Sequence, residues 1–383
     1  MKFIHISDLH IGKRVHDKTL IDEQVHILDQ ICDIVCEKAP DAVLIAGDVY
    51  DKSVPSAEAV LLLDRFLTRL SSLCRHVFMI SGNHDSAERI AFGARLMYSK
   101  GIYLSPVYDG SSEPVTLSDE YGDVDIYMLP YIRPVNVRHF LPDEEKEEVD
   151  SYDSAVRKAI GNMKMNTERR NVLITHQFVT GAARSESEDV NVGGLDNVDA
   201  SAFNVFDYVA LGHLHRPQDC GDERIRYSGS PLKYSFSEVN DRKSATLITL
   251  DEKGAIIREF IPLTPLHDWH DLRGTYDELT ARDFYAGKPW TEDFVRITLT
   301  DEHDIPDAVG KLRTIYHNLM ELRYDNKRTR SGNAAPESLA GDTEKTPMEL
   351  FGELYLKQNG DVMNQQQEDY VKKVVEKIWE SDK

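Results

Sequence analysis

Short β-branched runs alternate with helical stretches along the first 265 residues. Phe3 to Ser7, Ala42 to Ala46, Val77 to Ser81, Val124 to Leu129, Val172 to Thr175 and Tyr208 to Leu211 predict strands, most closed by a turn rich in Gly, Asp, Asn or His. Ala245 to Leu250 and Ile256 to Leu263 predict two more, with no helix between them. Between the first two strands, Leu20 to Glu37 places Ile21, Val25, Leu28, Cys32 and Val35 at helical spacing. After the second strand, Ala59, Leu62, Leu63, Phe66, Leu67 and Leu70 do the same. Strand, turn and helix in alternation predict an α/β fold.

The next segment, Glu88 to Tyr98, reads as a helix apolar on two sides, with Phe92 and Leu96 opposite Ile90, Ala94 and Met97. Such a helix needs two partners. Past Pro265 the pattern becomes strand Phe294 to Leu299, helix Ile305 to Tyr316 and strand Leu319 to Tyr324, a small α+β domain over residues 266–326. Lys327 to Thr346 is Arg, Ser, Gly, Ala, Pro and Thr with almost no bulky apolar residue, the composition of a flexible linker. Pro347 then opens a helix carrying Leu350, Phe351, Leu354 and Tyr355. Asn359-Gly360 breaks it, and Gln365 to Trp379 predicts a second helix. A hairpin over 347–383 beyond a tether has little core of its own, so it is read as a docking element, with folding back onto the body as the alternative.

Charge changes the picture next. The net charge of −21, from 66 acidic and 45 basic residues, disfavours casual adhesion to nucleic acid or anionic membrane. Seven acids against one Lys lie between Asp143 and Asp153. A polyanionic substrate would need metal ions, a local basic patch or a basic partner. No apolar run approaches the roughly 18 residues of a membrane span, and Ser7 and Asp8 cut the N-terminal run short, so neither a membrane protein nor a secreted precursor is expected. Four cysteines without a CxxC pair point to a reducing cytoplasm.

Chemistry gathers where five of the six N-terminal strands end: Asp8-Leu9-His10, Gly47-Asp48, Gly82-Asn83-His84-Asp85, Thr175-His176 and Gly212-His213-Leu214-His215. Strand C-termini form the ligand crevice of open α/β sheets, so these groups can converge although far apart in sequence. Carboxylate, imidazole and amide oxygen without thiolate suit Mn²⁺, Fe²⁺, Zn²⁺ or Mg²⁺. Seven candidates, Asp8, His10, Asp48, Asn83, His176, His213 and His215, exceed the needs of one ion, and two ions bridged by Asp48 fit better. Such a pair, about 4 Å apart, can bring the pKa of a bridging water from about 16 towards 7 and clamp both oxygens of an in-line displacement at phosphorus. That is phosphoester hydrolysis. His84 is left over, free to protonate the leaving alkoxide or stabilise phosphoryl charge. Asp51 and Asp85 are both candidates to orient it, Asp51 being preferred because Asp85 can instead hold the turn.

These motifs resemble the calcineurin-like metallophosphoesterase superfamily over about residues 1 to 265. Ile6 to Gly12, Gly47 to Asp51, Leu211 to His215 and especially Tyr227 to Glu238 are similar to its bacterial SbcD family of nuclease subunits. The resemblance implies a four-layer αββα sandwich, a capping domain at 266–326 that is a candidate for binding DNA, and a C-terminal segment that binds an SbcC-type ATPase. It further implies a Mn²⁺-dependent double-strand 3′–5′ exonuclease and hairpin or single-strand endonuclease in DNA repair, recombination and replication. One ion would take Asp8, His10, Asp48 and His215, the other Asp48, Asn83, His176 and His213, with His84 as the catalytic histidine. Archaeal and eukaryotic relatives carry histidine where Asp51 stands, whereas related phosphatases have an aspartate there that orients the catalytic histidine.

A phosphatase or small-molecule phosphodiesterase is the nearest competitor, since one two-metal chemistry serves many substrates. The linker, the terminal hairpin and the Ser228 to Glu238 segment speak against it. A non-catalytic scaffold is disfavoured because all seven ligands and His84 are present. Lys13 and Arg14, directly after the first ligand loop, are candidates for phosphate contact. Phe92 and Leu96 are expected either to form a homodimer seam or to pack on a neighbouring helix.

Overall fold

The computed structural model describes residues 1–16, 18–183, 185, 188, 197–326, 329, 347–359 and 362–372. Two six-stranded sheets form the body. The first has the order Ile256–Pro262, Ser244–Leu250, Lys2–Ile6, Ala42–Ala46, His76–Ile80, Ile102–Leu104. The second runs Gln218–Cys220, Asp222–Tyr227, Tyr208–Gly212, Arg170–His176, Gly122–Leu129, Val115–Asp119. Their central strands are parallel and buried on both faces, which is why they read as continuous apolar runs and not as alternating ones.

Alternate residues of each strand serve different layers. Phe3, Ala42, Leu44 and Phe78 of the first sheet pack against Val124, Ile126, Val172, Ile174 and Tyr208 of the second. The other face of the first sheet, through Ile4, Val43 and Ile45, meets helices Ile21–Lys38 and Ala57–Leu73. Helix Tyr152–Gly161 covers the second sheet with Ala155, Val156, Ala159 and Ile160. The layers are therefore helix, sheet, sheet, helix. Burial of each Leu, Ile or Phe contributes about 1.5–3 kcal/mol, and Ser56 caps the second helix by accepting from the Ala59 amide at 3.2 Å.

A three-stranded sheet, Trp269–Gly274, Phe294–Leu299 and Asn318–Tyr324, follows, and all of it but Tyr324 belongs to the same compact unit, Met1–Arg323. Trp269 joins it to the body, its ring 4.7 Å from Phe236 and 5.4 Å from Phe294. In the second unit, Tyr324–Lys383, helix Pro347–Asn359 precedes helical residues 365–372, and Gln367 Nε2 donates to Tyr355 Oη at 2.9 Å. The expected linker, apart from Thr329, and the end of the second helix lie outside the described residues.

Two expected helices are shorter than their apolar spacing suggests. Glu88 to Tyr98 is two pieces, Ala87–Ile90 and Ala94–Tyr98, because Gly93 adopts φ 76° between them. The helix expected at Ile305 to Tyr316 spans only Ala308–Arg313, entered through Asp307 at φ 52°. Strands Ile102–Leu104, Val115–Asp119, Asp222–Tyr227 and Trp269–Gly274 carry patterns too short or too polar to have been read as strands.

Candidate metal centre

Parallel strands set all their C-terminal ends on one edge. Lys2–Ile6, Ala42–Ala46 and His76–Ile80 deliver Asp8 and His10, Asp48, and Asn83 and His84. Arg170–His176 and Tyr208–Gly212 deliver His176, His213 and His215 from the second sheet. The sheets close tightly here because a side chain at Gly212 would collide with the Ala46 carbonyl, and a Cβ at Gly47, φ 84°, would lie 2.5 Å from His176 Nδ1.

The backbone is strained where it turns the functional groups inward. Asp8, His10, Asp48 and His213 all have positive φ, at 54°, 43°, 47° and 105°. Non-glycine residues avoid this region at a cost of about 1–3 kcal/mol each, and such outliers cluster at functional sites. Main-chain bonds hold the two strained loops together, Asp8 N to Gly47 O at 3.0 Å and His10 N to Asp48 O at 2.9 Å.

The side chains meet as the strand ends suggest. Ligand atoms of Asp8, His10 and His215 lie within 4.8 Å of one another, as do those of Asp8, Asp48 and His176, and those of His10, Asp48 and His84. His176 Nε2 is 3.3 Å from Asp48 Oδ2. Asn83 Oδ1 stands 3.0 Å from both His176 Nε2 and His213 Nδ1. His10 and His215 oppose their Nε2 atoms at 3.1 Å. The seven candidate ligands are thus gathered into one cluster beside His84, and all seven but Asn83 are buried.

Electrostatics shows how a cation would fit. Burial pushes the Asp8 carboxyl up to about 6. Burial acts on Asp48 in the same sense, but the surrounding His176, His10 and His84 outweigh it and hold Asp48 well below the ordinary carboxylate range. His176 is the reverse case: burial would lower it, yet Asp48 and Asp8 keep it at about 9. Burial holds His10 well below the usual imidazole value. His10 Nδ1 is buried and has no hydrogen-bond partner among the described residues. Two opposed ring nitrogens, paired carboxylates and an amide oxygen suit divalent metal without thiolate, so the donor set fits the expected ions.

His84 stands apart in exposure. Its side chain is half-buried, its Nδ1 lies 3.1 Å from the Asp51 main-chain oxygen, and its Nε2 is 3.9 Å from Asp48 Oδ2. The expectation for Asp51 needs correction on this point. Its carboxylate does not reach His84 but meets Lys13 Nζ at 2.7 Å and lies 3.7 Å from His10 Nδ1, because the loop aims its carbonyl at His84 instead. Asp85 holds the turn, accepting from the amides of Gly82, Val49 and Tyr50 at 2.9–3.0 Å. Lys13, expected as a phosphate contact, is engaged by Asp51.

Several supporting residues were missed in the sequence. Ser7 Oγ donates to Asp8 Oδ2 at 2.5 Å. Gln24, a buried polar residue within an apolar helix face, donates to the His10 carbonyl at 2.7 Å and accepts from Gly12 N at 2.9 Å. Glu188 accepts from His215 N at 2.7 Å. Gln24 was visible as a polar break in an otherwise apolar stripe. Glu188 had no pattern at all.

Known proteins are similar to this chain over most of its length. Residues 1–217, which include the whole cluster, match the model of the calcineurin-like phosphoesterases, and residues 262–359 match that of the type 5 capsule protein repressor C-terminal domain. The SbcD component of the SbcCD nuclease of Staphylococcus epidermidis is 32% identical over 84% of this chain and 85% of its own length. Two solved structures overlap more loosely, each at 11% identity. GAP50, the anchor in the inner membrane complex of Plasmodium, covers 84% of this chain and 96% of its own at TM-score 0.42. A dimetal phosphatase from Danio rerio covers 69% and 96% at TM-score 0.40. With more than half its length matched by the family model, and every candidate ligand inside the match, the chain belongs to the calcineurin-like phosphoesterase family.

Proposed function

We propose that this chain is the nuclease subunit of an SbcCD-type complex, hydrolysing DNA phosphodiesters with two divalent ions, Mn²⁺ foremost. The gathering of Asp8, His10, Asp48, Asn83, His176, His213 and His215 into one cluster carries the reading. The related nuclease subunit and the matched C-terminal segment support the choice of DNA over a small phosphoester. One ion is assigned to Asp8, His10, Asp48 and His215, the other to Asp48, Asn83, His176 and His213. When bound, such a pair supplies Lewis-acid charge to a phosphoryl group and activates water.

The remaining chemistry belongs to the protein. His84 holds its ring through the Asp51 carbonyl and presents Nε2 towards the cluster, where a proton can be given to the departing oxygen. The proposed activities are double-strand 3′–5′ exonuclease and hairpin or single-strand endonuclease, in the cytoplasm. Residues 266–326 would cap the site and contact DNA, 327–346 would tether, and 347–383 would dock to an SbcC-type ATPase that supplies basic surface. The chain's own charge of −21 makes such help favourable. Mn²⁺-loaded protein is expected to degrade linear duplex DNA in preference to p-nitrophenyl phosphate. Hydrolysis of the small ester alone would overturn the reading.

A further inference from the structure

A groove of about 490 Å³ borders the candidate metal cluster through Asn83 and His213, with Tyr131, Tyr152 and Arg133 also in its walls. Tyr131 stands just past strand Gly122–Leu129, so the parallel pairing with Arg170–His176 sets it on the same edge as the candidate ligands. Its amide donates to the Ser81 carbonyl at 3.0 Å, and its ring centre lies 6.3 Å from that of His176. Tyr152, at the start of helix Tyr152–Gly161, places its ring 6.3 Å from that of Tyr131 and accepts from the Tyr131 hydroxyl at 3.3 Å. Both rings are half-buried and Arg133 is exposed.

We propose that this groove holds the terminal nucleotide of the cleaved strand in unpaired form, its base stacked on the Tyr131/Tyr152 pair and a phosphate against Arg133. The inference rests on the nuclease reading above and names the part of the DNA that the site selects, an end whose last base has left the duplex. Aromatic rings beside a cation grip single strands whatever their sequence, because every base has a π-face. A phosphate at the cluster is one sugar away from its own base, and the tyrosines stand next to the cluster at that remove.

Charge and size agree with such an occupant. Arg133 is the one Lys or Arg among the described residues lining the groove, and no carboxylate among them holds it. The two acids that line it are engaged elsewhere. Asp85 accepts from the amides of Gly82, Val49 and Tyr50, and Glu88 accepts from the Ser86 hydroxyl at 2.7 Å. The volume falls within the range of about 300–1,000 Å³ typical of sites for one small molecule. A duplex end presents two nucleotides side by side, so a groove of this size admits one of them with its base unpaired.

The test uses the full-length chain loaded with Mn²⁺ and linear duplexes that differ only in the terminal nucleotide of the cleaved strand, paired, mismatched or abasic. Wild type is expected to cleave the mismatched end with the highest kcat/KM and the abasic end with the lowest. Tyr131→Ala should reduce kcat/KM on base-bearing ends relative to the abasic end by about 5- to 150-fold, the usual worth of one stacked base. Tyr131→Phe, which keeps the ring, should restore the preference. Arg133→Ala should raise KM on all three ends alike and lower its salt dependence by about one phosphate contact. Equal cleavage of the three ends by wild type overturns the proposal. So does equal impairment of base-bearing and abasic ends in Tyr131→Ala, as general loosening would give, or an unchanged salt dependence in Arg133→Ala. The wild-type comparison needs no variant, so it decides the matter if Tyr131→Ala fails to fold. A wild type that hydrolyses p-nitrophenyl phosphate but no DNA end overturns the nuclease reading, and this inference with it.

Discussion

His84 and His5 show how burial separates two histidines with one side-chain chemistry. His84 opens towards the cleft and is tied through Nδ1 to a carbonyl, so His84→Gln is expected to lower DNA hydrolysis by about 10²- to 10⁴-fold, the usual worth of a positioned acid. Mn²⁺ stoichiometry should stay at two, which separates acid from ligand. His5 sits wholly buried between Tyr208 Oη at 2.9 Å and the Leu211 carbonyl at 3.2 Å. Burial, helped by the nearby Arg226 charge, lowers its pKa from 6.5 to about 3. Between those values the unfolded chain carries a proton that the folded chain refuses. The His5 contribution is thus complete above pH 6.5 and is lost as pH falls. From pH 6.5 to 5 wild type should lose about 2 kcal/mol more stability than His5→Gln, measured by urea unfolding at each pH.

At the scale of elements, the two short helices Ala87–Ile90 and Ala94–Tyr98 matter most for assembly. Their break at Gly93 leaves Phe92 82% and Leu96 81% exposed, while Ile90 packs into the body. Of the two expectations for this pair, packing on a neighbouring helix of the same chain is not what the exposure shows. The other expectation, a seam between two copies of the chain, would cover both exposed side chains. Light scattering should find a dimer in wild type and a monomer in Phe92→Glu. A dimeric variant removes the seam. The amphipathic helices Ile21–Lys38 and Ala57–Leu73 were legible because each buries a single apolar stripe against one sheet. Strand Val115–Asp119 was not, because only Val115 and Leu117 of its five residues are apolar and it takes its identity from pairing with Gly122–Leu129.

At the scale of the molecule, the candidate metal cluster and the terminal helices fall in different compact units, Met1–Arg323 and Tyr324–Lys383. Truncation after Arg330 should therefore abolish co-purification with an SbcC-type ATPase while two Mn²⁺ ions still bind, and retained co-purification would move the docking surface elsewhere. By itself the sequence named the candidate metal donors and the strands that end in them. Ligand types and apolar runs are local properties, and parallel strands must end on a common edge. Only the tertiary structure decided which atom of each residue faces the cluster. Asp51 was legible as a neighbour of the site, yet whether its carbonyl or its carboxylate meets His84 depends on loop dihedrals that no spacing encodes. The approach of Glu238 to His215, and of Lys243 to Glu238, was invisible for the same reason. Their pairing is set by how distant loops pack behind a ring, and burial strengthens such pairs only after the sheets have closed.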